Sequence, residues 1–450
     1  MSDRKYTTKE EVLVRGREAI GIPLRDMDQT YKLGIGKGAV GSVIEESWFG
    51  YKINSDSEPD FVEAGVELKV TPYVKTSKGI RAKERLVCNI VNYMEEYKNT
   101  FHTSSFWRKC ETMLIMPYEY IDGIDKGDFT IDEAVLFSFP FDDLLIIKRD
   151  WDCIISKIRA GKAHEISEGD TMYLGACTKG ATSASVRQQP FSDTLAKQRA
   201  YSLKQSYMTH VLTRYIFGDQ TDEHIIKDSA ILMNRSFEEY IYRRTSYYMG
   251  WSQSALMREF GINAYPVPKN VNEMILACML GVKGRLAATD EFTKANIIPK
   301  TIRVQRNGSI KESMSFPGFR FTDIIKEEWE DSVLKCYLEP AKFLFIIFTE
   351  NDNGEYAFER VKFWNIPVED LDEVRKVWER TVQIIRYGVK LEYDGNITHN
   401  NLPKQSESRV AHVRPHAKNA NDTYPLPDGR DMTKQCFWFN RTYVESIINE

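Results

Sequence analysis

PDFVEAGVELKVTP, residues 59–72, places Asp60 seven residues ahead of Glu67, with Lys69 two residues further on. The stretch is β-prone and alternates: Val66, Leu68 and Val70 fall on one face, Glu67 and Lys69 on the other. A Glu-x-Lys alternation alone is most often a solvated strand face. What lies upstream makes a site the sharper reading. GKGAVGSVIEESWFG (36–50) reads as a Gly-rich turn running into a short helix, with Glu45 on the Gly41–Glu45–Trp48 edge and Lys37 in the turn. Glu45, Asp60 and Glu67 beside Lys69 make a charge set that a hard cation resolves. Mg²⁺ takes oxygen ligands and is commonly held by one or two carboxylates plus a substrate phosphate. It polarises a phosphoryl oxygen and lowers the pKa of bound water. A neighbouring Lys orients or deprotonates the water and balances charge building on the phosphate.

The chain organisation gives this stretch a frame. TTKEEVLVRGREAIG (7–21) predicts an amphipathic helix opened by a capping box, TMLIMPYEY (112–120) a second strand, and FDDLLIIKRDWDCIISKIRAG (141–161) a helix ending at Gly161. YLGACTKGA and QRAYSLKQSYM close the first half. The second half reads as a degenerate copy. GVKGRLAATDEF (281–292) echoes KGAVGSVIEESWF, IIPKTI (297–302) stands where VELKVT belongs, KFLFIIF (342–348) matches TMLIM, and HVRPHA (412–417) and KQCFWFNRTYV (434–444) match the closing segments. The expected architecture is therefore mixed α/β (α+β) in two tandem copies, with domains at 1–220 and 236–450. In the copy, Ile298-Pro299-Lys300 replaces Glu67-Leu68-Lys69, and Glu291 stands at the Glu45 position without partners. The second domain is expected to bind and not to cut.

Composition narrows the function classes. At about 150 residues per domain, 450 residues allow two or three domains. A net charge of −4 gives no whole-protein pull toward nucleic acid. Local basic segments exist, notably Lys75, Lys78, Arg81, Lys83 and Arg85. The seven cysteines form no CxxC pair, no apolar run spans a membrane, and the opening MSDRKYTTKEE lacks a secretory core. A cytoplasmic protein with no membrane partner is expected. GKGAVG satisfies G-x-G-x-x-G, but DQTYKLGI is a poor preceding strand and no βαβ unit follows, so nucleotide binding is an outside reading. His412 and His416 have helical spacing, but Pro415 lies between them.

KGAVGSVIE followed by D-x6-E-L-K, with the WRKCETMLIMPYEY strand, YLGACTKGA and RAYSLKQSYM, resembles the MutH-type endonucleases of the restriction-endonuclease-like fold. The closest likeness is to the two-domain type II restriction enzymes that cut at GATC, in which the second domain has lost its catalytic residues. The resemblance implies that Asp60 and Glu67 hold Mg²⁺, that Lys69 serves the attacking water, and that Glu45 and Lys37 complete the cluster. It implies that Lys179 reads a base from a loop in the major groove. Arg187, Lys197, Arg199 and Lys204 would contact phosphates, and Arg414 and His416 would form the second domain's DNA loop. The expected reaction is hydrolysis of double-stranded DNA at GATC to 5′-phosphate ends, by monomers that pair on DNA. Ser202 stands where the mismatch-repair relative senses methylation, which puts that discrimination in doubt. A strand-nicking repair nuclease and a non-catalytic DNA-binding protein are the alternatives.

Overall fold

Strand β1 (Glu67–Thr76) pairs in parallel with β4 (Met113–Glu119), Glu67 opposite Met113 and Lys69 opposite Ile115. β2 (Gly79–Ala82) and β5 (Val135–Phe137) complete an antiparallel-edged sheet in the order β2-β1-β4-β5. The computed structural model describes residues 5–28, 33, 38–52, 58–77, 79–180, 185–218, 223–310, 313–393, 395 and 398–450. Lys37 and Lys78, singled out above, lie outside them. β4 is buried along nearly its whole length, as a central parallel strand requires. The expected first helix is α1 (Lys9–Arg17), opened by the reciprocal Thr8–Glu11 capping box.

A second sheet, β3-β9-β6, is built from Leu86–Ile90, Arg199–Leu203 and Leu174–Thr178, and β7 (Val186–Gln189) and β8 (Ser192–Lys197) form a hairpin. Between the sheets in chain order come α2 (Ser105–Cys110) and α3 (Phe141–Arg159). Gly161, at φ +71, ends the α3 region as its left-handed cap. α4 (Gln205–His210) follows β9 directly.

The chain divides into two compact units: residues 1–237 with 287–297, and residues 238–286 with 298–450. The first unit thus includes α5 (Asp290–Lys294), from well inside the second half of the sequence. The second unit carries β10 (Ile297–Val304), β12 (Lys342–Glu350) and β13 (Tyr356–Trp364) in one sheet, and β11 (Met314–Phe319), β19 (Gln435–Phe439) and β16 (Ala411–Pro415) in another. The hairpins β14–β15 (Leu391–Tyr393, Thr398–Asn400) and β17–β18 (Thr423–Pro425, Asp431–Thr433) decorate it. Its helices include α6 (Val333–Leu338), α7 (Val368–Tyr387) and α8 (Arg441–Asn449). Among the described residues no helix is long and apolar enough to cross a membrane.

Within each unit the same details recur. The β3–β9 register slips between Val87 and Ile90, and the β11–β19 register slips between Ser315 and Gly318. Both long helices bury a Trp on their inner stripe, Trp151 and Trp378. Both bury an Asp in the first turn that accepts a hydroxyl from the third residue of the last helix. Tyr207 reaches Asp143 at 3.0 Å and Tyr443 reaches Asp370 at 2.6 Å. Buried carboxylates must be hydrogen-bonded, so each pair fixes where its closing helix packs. Replacing Tyr443 or Tyr207 by Phe is expected to cost about 1–3 kcal/mol. Chemical denaturation checks this, and a loss below about 0.5 kcal/mol in both variants would remove the structural role.

Candidate active site

The seven-residue spacing of Asp60 and Glu67 is set by a tight loop. Phe61 and Val66 bridge antiparallel, with N–H···O bonds of 2.9 and 3.2 Å, and Gly65 at φ +63 makes the turn. The flanking residues therefore face each other. The Asp60 N–H donates to Glu67 Oε2 at 3.2 Å, and the Leu68 N–H donates to Asp60 Oδ2 at 2.9 Å. Phe61 anchors the loop from behind, with ring centroids 4.9 Å from Phe49, 5.0 Å from Tyr51 and 5.5 Å from Tyr6. The face carrying Glu67 and Lys69 is not solvated: Glu67 is 2% exposed and the Lys69 side chain 13%. Lys69 Nζ donates to Glu67 Oε1 at 2.7 Å and, more weakly, to the Cys88 carbonyl at 3.4 Å.

Glu45 joins from the helical segment Val43–Trp48, whose wide π-type turn follows Ala39–Ser42. Burial pushes its carboxyl up to about 7, and the charges of Asp60, Glu67 and Glu46 push the same way against Lys109. Glu67 is also raised to about 7; burial outweighs Lys69, and Asp60 adds to it. Burial alone would lower the Lys69 ammonium, but the Glu67 carboxylate overrides this and holds it above the ordinary lysine range. The structure thus brings Glu45, Asp60, Glu67 and Lys69 together.

It adds Lys109, to which the sequence reading gave no role. Lys109 lies at the end of α2, 11% exposed, with Nζ 3.6 Å from Glu67 Oε1. The signal was the parallel pairing of β1 with β4, which sets whatever precedes β4 beside the start of β1. A basic pair at a helix end reads equally as dipole capping. Among the described residues, no group of three or more His, Cys, Asp or Glu forms a ready metal cage.

The expected DNA-contact residues divide. Lys179 continues β6, its N–H donating to the Gln198 carbonyl at 2.8 Å, and its side chain is exposed. Arg187 is exposed on β7, and Lys197 is half-buried at the end of β8. Arg199 and Lys204 are corrections. Each is 2% exposed, Arg199 donating to the Ala176 carbonyl at 2.6 Å and Lys204 to the Thr171 carbonyl at 2.5 Å. They pin backbone inside the sheet and display no charge to a duplex. The basic run after β1 is largely engaged as well: Lys75 with Glu119, Lys83 over the Tyr120 ring, and Arg85 with Glu168.

In the second unit, the His416 N–H donates to the Lys434 carbonyl at 2.8 Å, just past β16, as Lys179 does past β6. Arg414 and His416 are exposed and flank Trp438, at 4.5 and 5.5 Å from its ring. His412 is buried on β16, its Nδ1 2.6 Å from Asn440 Oδ1. Burial pushes the Lys300 ammonium down, opposite to Lys69. Glu291, expected at the Glu45 position of the second copy, instead lies in the first unit, where it accepts from the Ile225 and Ile226 backbone N–H groups at 2.8–3.0 Å.

Comparison with known proteins agrees with this geometry. The family model of the DNA mismatch repair enzyme MutH matches residues 49–150, the span holding Asp60, Glu67, Lys69 and Lys109. The type II restriction enzyme Sau3AI of Staphylococcus aureus is 38% identical, over 99% of this chain and 99% of its own. The DNA mismatch repair proteins MutH of Shewanella woodyi and Shewanella baltica are 28% and 27% identical. They cover 48% and 46% of this chain and 94% and 95% of their own. A mixed α/β chain with a buried acidic cluster and an ammonium, matched end to end by a restriction enzyme, belongs to the Sau3AI-like type II restriction enzymes with a MutH-type domain and is a site-specific deoxyribonuclease.

Proposed function

We propose that this nuclease hydrolyses double-stranded DNA at 5′-GATC-3′ with Mg²⁺, leaving 5′-phosphate ends. The observation that carries the reading is the mutual hydrogen bonding of Asp60 and Glu67 with Lys69 bonded to Glu67. The donor set suits a hard cation. Two carboxylates coupled through their own backbone lie with Glu45 beside them, and burial first, then the neighbouring acids, raise the carboxyls of Glu45 and Glu67. Asp60 and Glu67 would hold Mg²⁺ as a two-carboxylate half-site, the scissile phosphate and water supplying the rest. When bound, the cation polarises the phosphoryl oxygen and acidifies water. Lys69 keeps its proton, so it orients the attacking water and balances charge growing on the phosphate. Lys109 sets a second ammonium 3.6 Å from Glu67 Oε1, the oxygen that Lys69 also bonds, and Lys37 is assigned to the same cluster by sequence alone.

On this reading, residues 1–220 form the catalytic domain, with Lys179 reading a base edge and Arg187 and Lys197 near phosphates. Residues 236–450 form a duplicated domain that has lost its acids and binds DNA through Arg414 and His416. The recurrence of the Asp–Tyr pair, the buried Trp and the register slip supports duplication. A single acidic site per chain calls for two chains pairing on DNA to cut both strands, in the cytoplasm that its free cysteines suit.

Digestion of a GATC plasmid without added proteins is expected to give linear fragments ending within or beside that sequence; nicked circles alone would favour a repair nuclease. Lys69→Ala is expected to lower single-turnover cleavage by about 10²–10³ while changing DNA affinity by less than about three-fold. Retained cutting would sink the assigned role.

The raised carboxyls give a second, pH-dependent check. Folded Glu45 and Glu67 keep their protons up to about pH 7, whereas an unburied glutamate carboxyl loses its proton near 4.5. The pair thus contributes stability at low pH that is lost as pH rises through about 7. Cation binding needs the deprotonated forms. The rise in melting temperature on adding Mg²⁺ should therefore be larger at about pH 8 than at about pH 6, and the reverse trend would argue against these two as the titrating ligands.

A further inference from the structure

The Asp–Tyr pairs of the two units differ in where their cation comes from. In the second unit, Asp370 is bonded by Arg409, two residues ahead of β16. The corresponding position ahead of β6 is Met172, which offers no charge. Asp143 instead receives Lys294, on α5, at 2.9 Å. Lys294 is 9% exposed and also holds Asp290 at 2.8 Å. Asp290 in turn bonds His210, at 3.1 Å, and contacts His224 at 3.4 Å. The Ser206 hydroxyl donates to the Lys294 carbonyl at 2.8 Å.

Ser206, Tyr207 and His210 all belong to α4, so α5 holds α4 directly at Ser206 and His210 and, through Asp143 of α3, at Tyr207. α4 touches both sheets of the catalytic unit. It continues β9, whose sheet carries Lys179. Its Gln205 Nε2 donates to the Ala82 and Lys83 carbonyls at 2.9 and 2.7 Å, and its Thr209 hydroxyl accepts the Ala82 N–H at 3.1 Å. Ala82 ends β2, which pairs with β1, the strand of Glu67 and Lys69.

We propose that α5 is a strap, lent to the catalytic unit by the later part of the chain, and that Lys294 is a positioning residue. By holding α4, it sets the base-reading loop in register with the acidic cluster. This rests on the assignment of Lys179 to base reading. Recognition in the first unit then depends on a segment that is continuous, two residues on, with β10 of the second unit.

The test uses full-length Lys294→Met, Lys294→Arg and Asp143→Asn/Lys294→Met, and compares kcat/KM on GATC duplexes with duplexes changed at one base. A merely structural role scales both substrates alike by lowering the folded fraction; a positioning role changes their ratio. Lys294→Met is expected to lower the ratio by about ten-fold or more, with Lys294→Arg within about two-fold of wild type. The double variant removes both charges of the Lys294–Asp143 pair and leaves Asp290 on His210, so it is read wherever Lys294→Met fails to fold, and it too should show the lowered ratio. An unchanged ratio in the folded variants overturns the strap. Wild-type protein with no preference for GATC overturns the recognition reading instead, and the strap is then judged on whatever sequence wild type prefers.

Discussion

The backbone bond from Asp60 to Glu67, and its return from Leu68 to Asp60, is the constraint on which the site depends. Carboxylates repel, and burial makes Glu67 harder to ionise. Left to side-chain freedom, they would turn apart toward water. Here the Phe61–Val66 bridge forces them together, and the aromatic cluster around Phe61 stops the loop from opening. The strand that follows is fixed by parallel pairing to the buried β4, so Lys69 cannot swing away from Glu67. The site is thus a strained distribution of charge imposed by well-satisfied backbone and apolar packing, an arrangement expected where the missing positive charge arrives with the substrate complex.

The surroundings decide whether such a site can exist. In the first unit, Ser104 caps α2 and Ser332 caps α6 through the same side-chain acceptance. Counting from these caps, Lys109 corresponds to Tyr337. Counting from the register slips, Cys88 corresponds to Phe316. Phe316 and Tyr337 stand 5.9 Å apart, and Tyr337 packs on Phe343. At these matched positions the first unit has a cysteine and a lysine where the second unit has two rings in contact. Meanwhile the Asp–Tyr pair and the buried Trp stay, because they serve packing. Under the proposed duplication, what is kept is what the fold needs, and what is lost is what only the chemistry needs.

Much of the site was legible from residues 36–72 because local spacing encodes it: seven residues are what a four-residue turn with one bridging pair demands, and two residues share a strand face. The capping box of α1 and the glycine ending the α3 region were legible for the same reason. Arg199 and Lys204 were not, since a cation at a strand end looks the same in sequence whether it meets a phosphate or a buried carbonyl. Lys109 needed the β1–β4 pairing, a non-local fact. Glu291 misled because a motif echo carries no information about which unit its helix packs into. The return of residues 287–297 to the first unit rests on Lys294 meeting Asp143, two residues 151 apart in sequence.

Under the proposed roles of the two units, Lys69 and Lys300 mark the difference between cutting and binding. Lys69 lies on β1 and Lys300 on β10, and burial disfavours the charge of both. In Lys69 the Glu67 carboxylate more than offsets burial and the ammonium is held. In Lys300 burial prevails, opposed chiefly by Cys436, and the ammonium is loosened. An ammonium in a dry pocket is useful for phosphate chemistry only if it stays protonated until the phosphate arrives. On the proposed reading the acids do two jobs: they would prepare a place for the cation, and Glu67 keeps the lysine charged. A unit without them loses both together, and restoring one carboxylate at Ile298 would act first on Lys300 and only then on any metal.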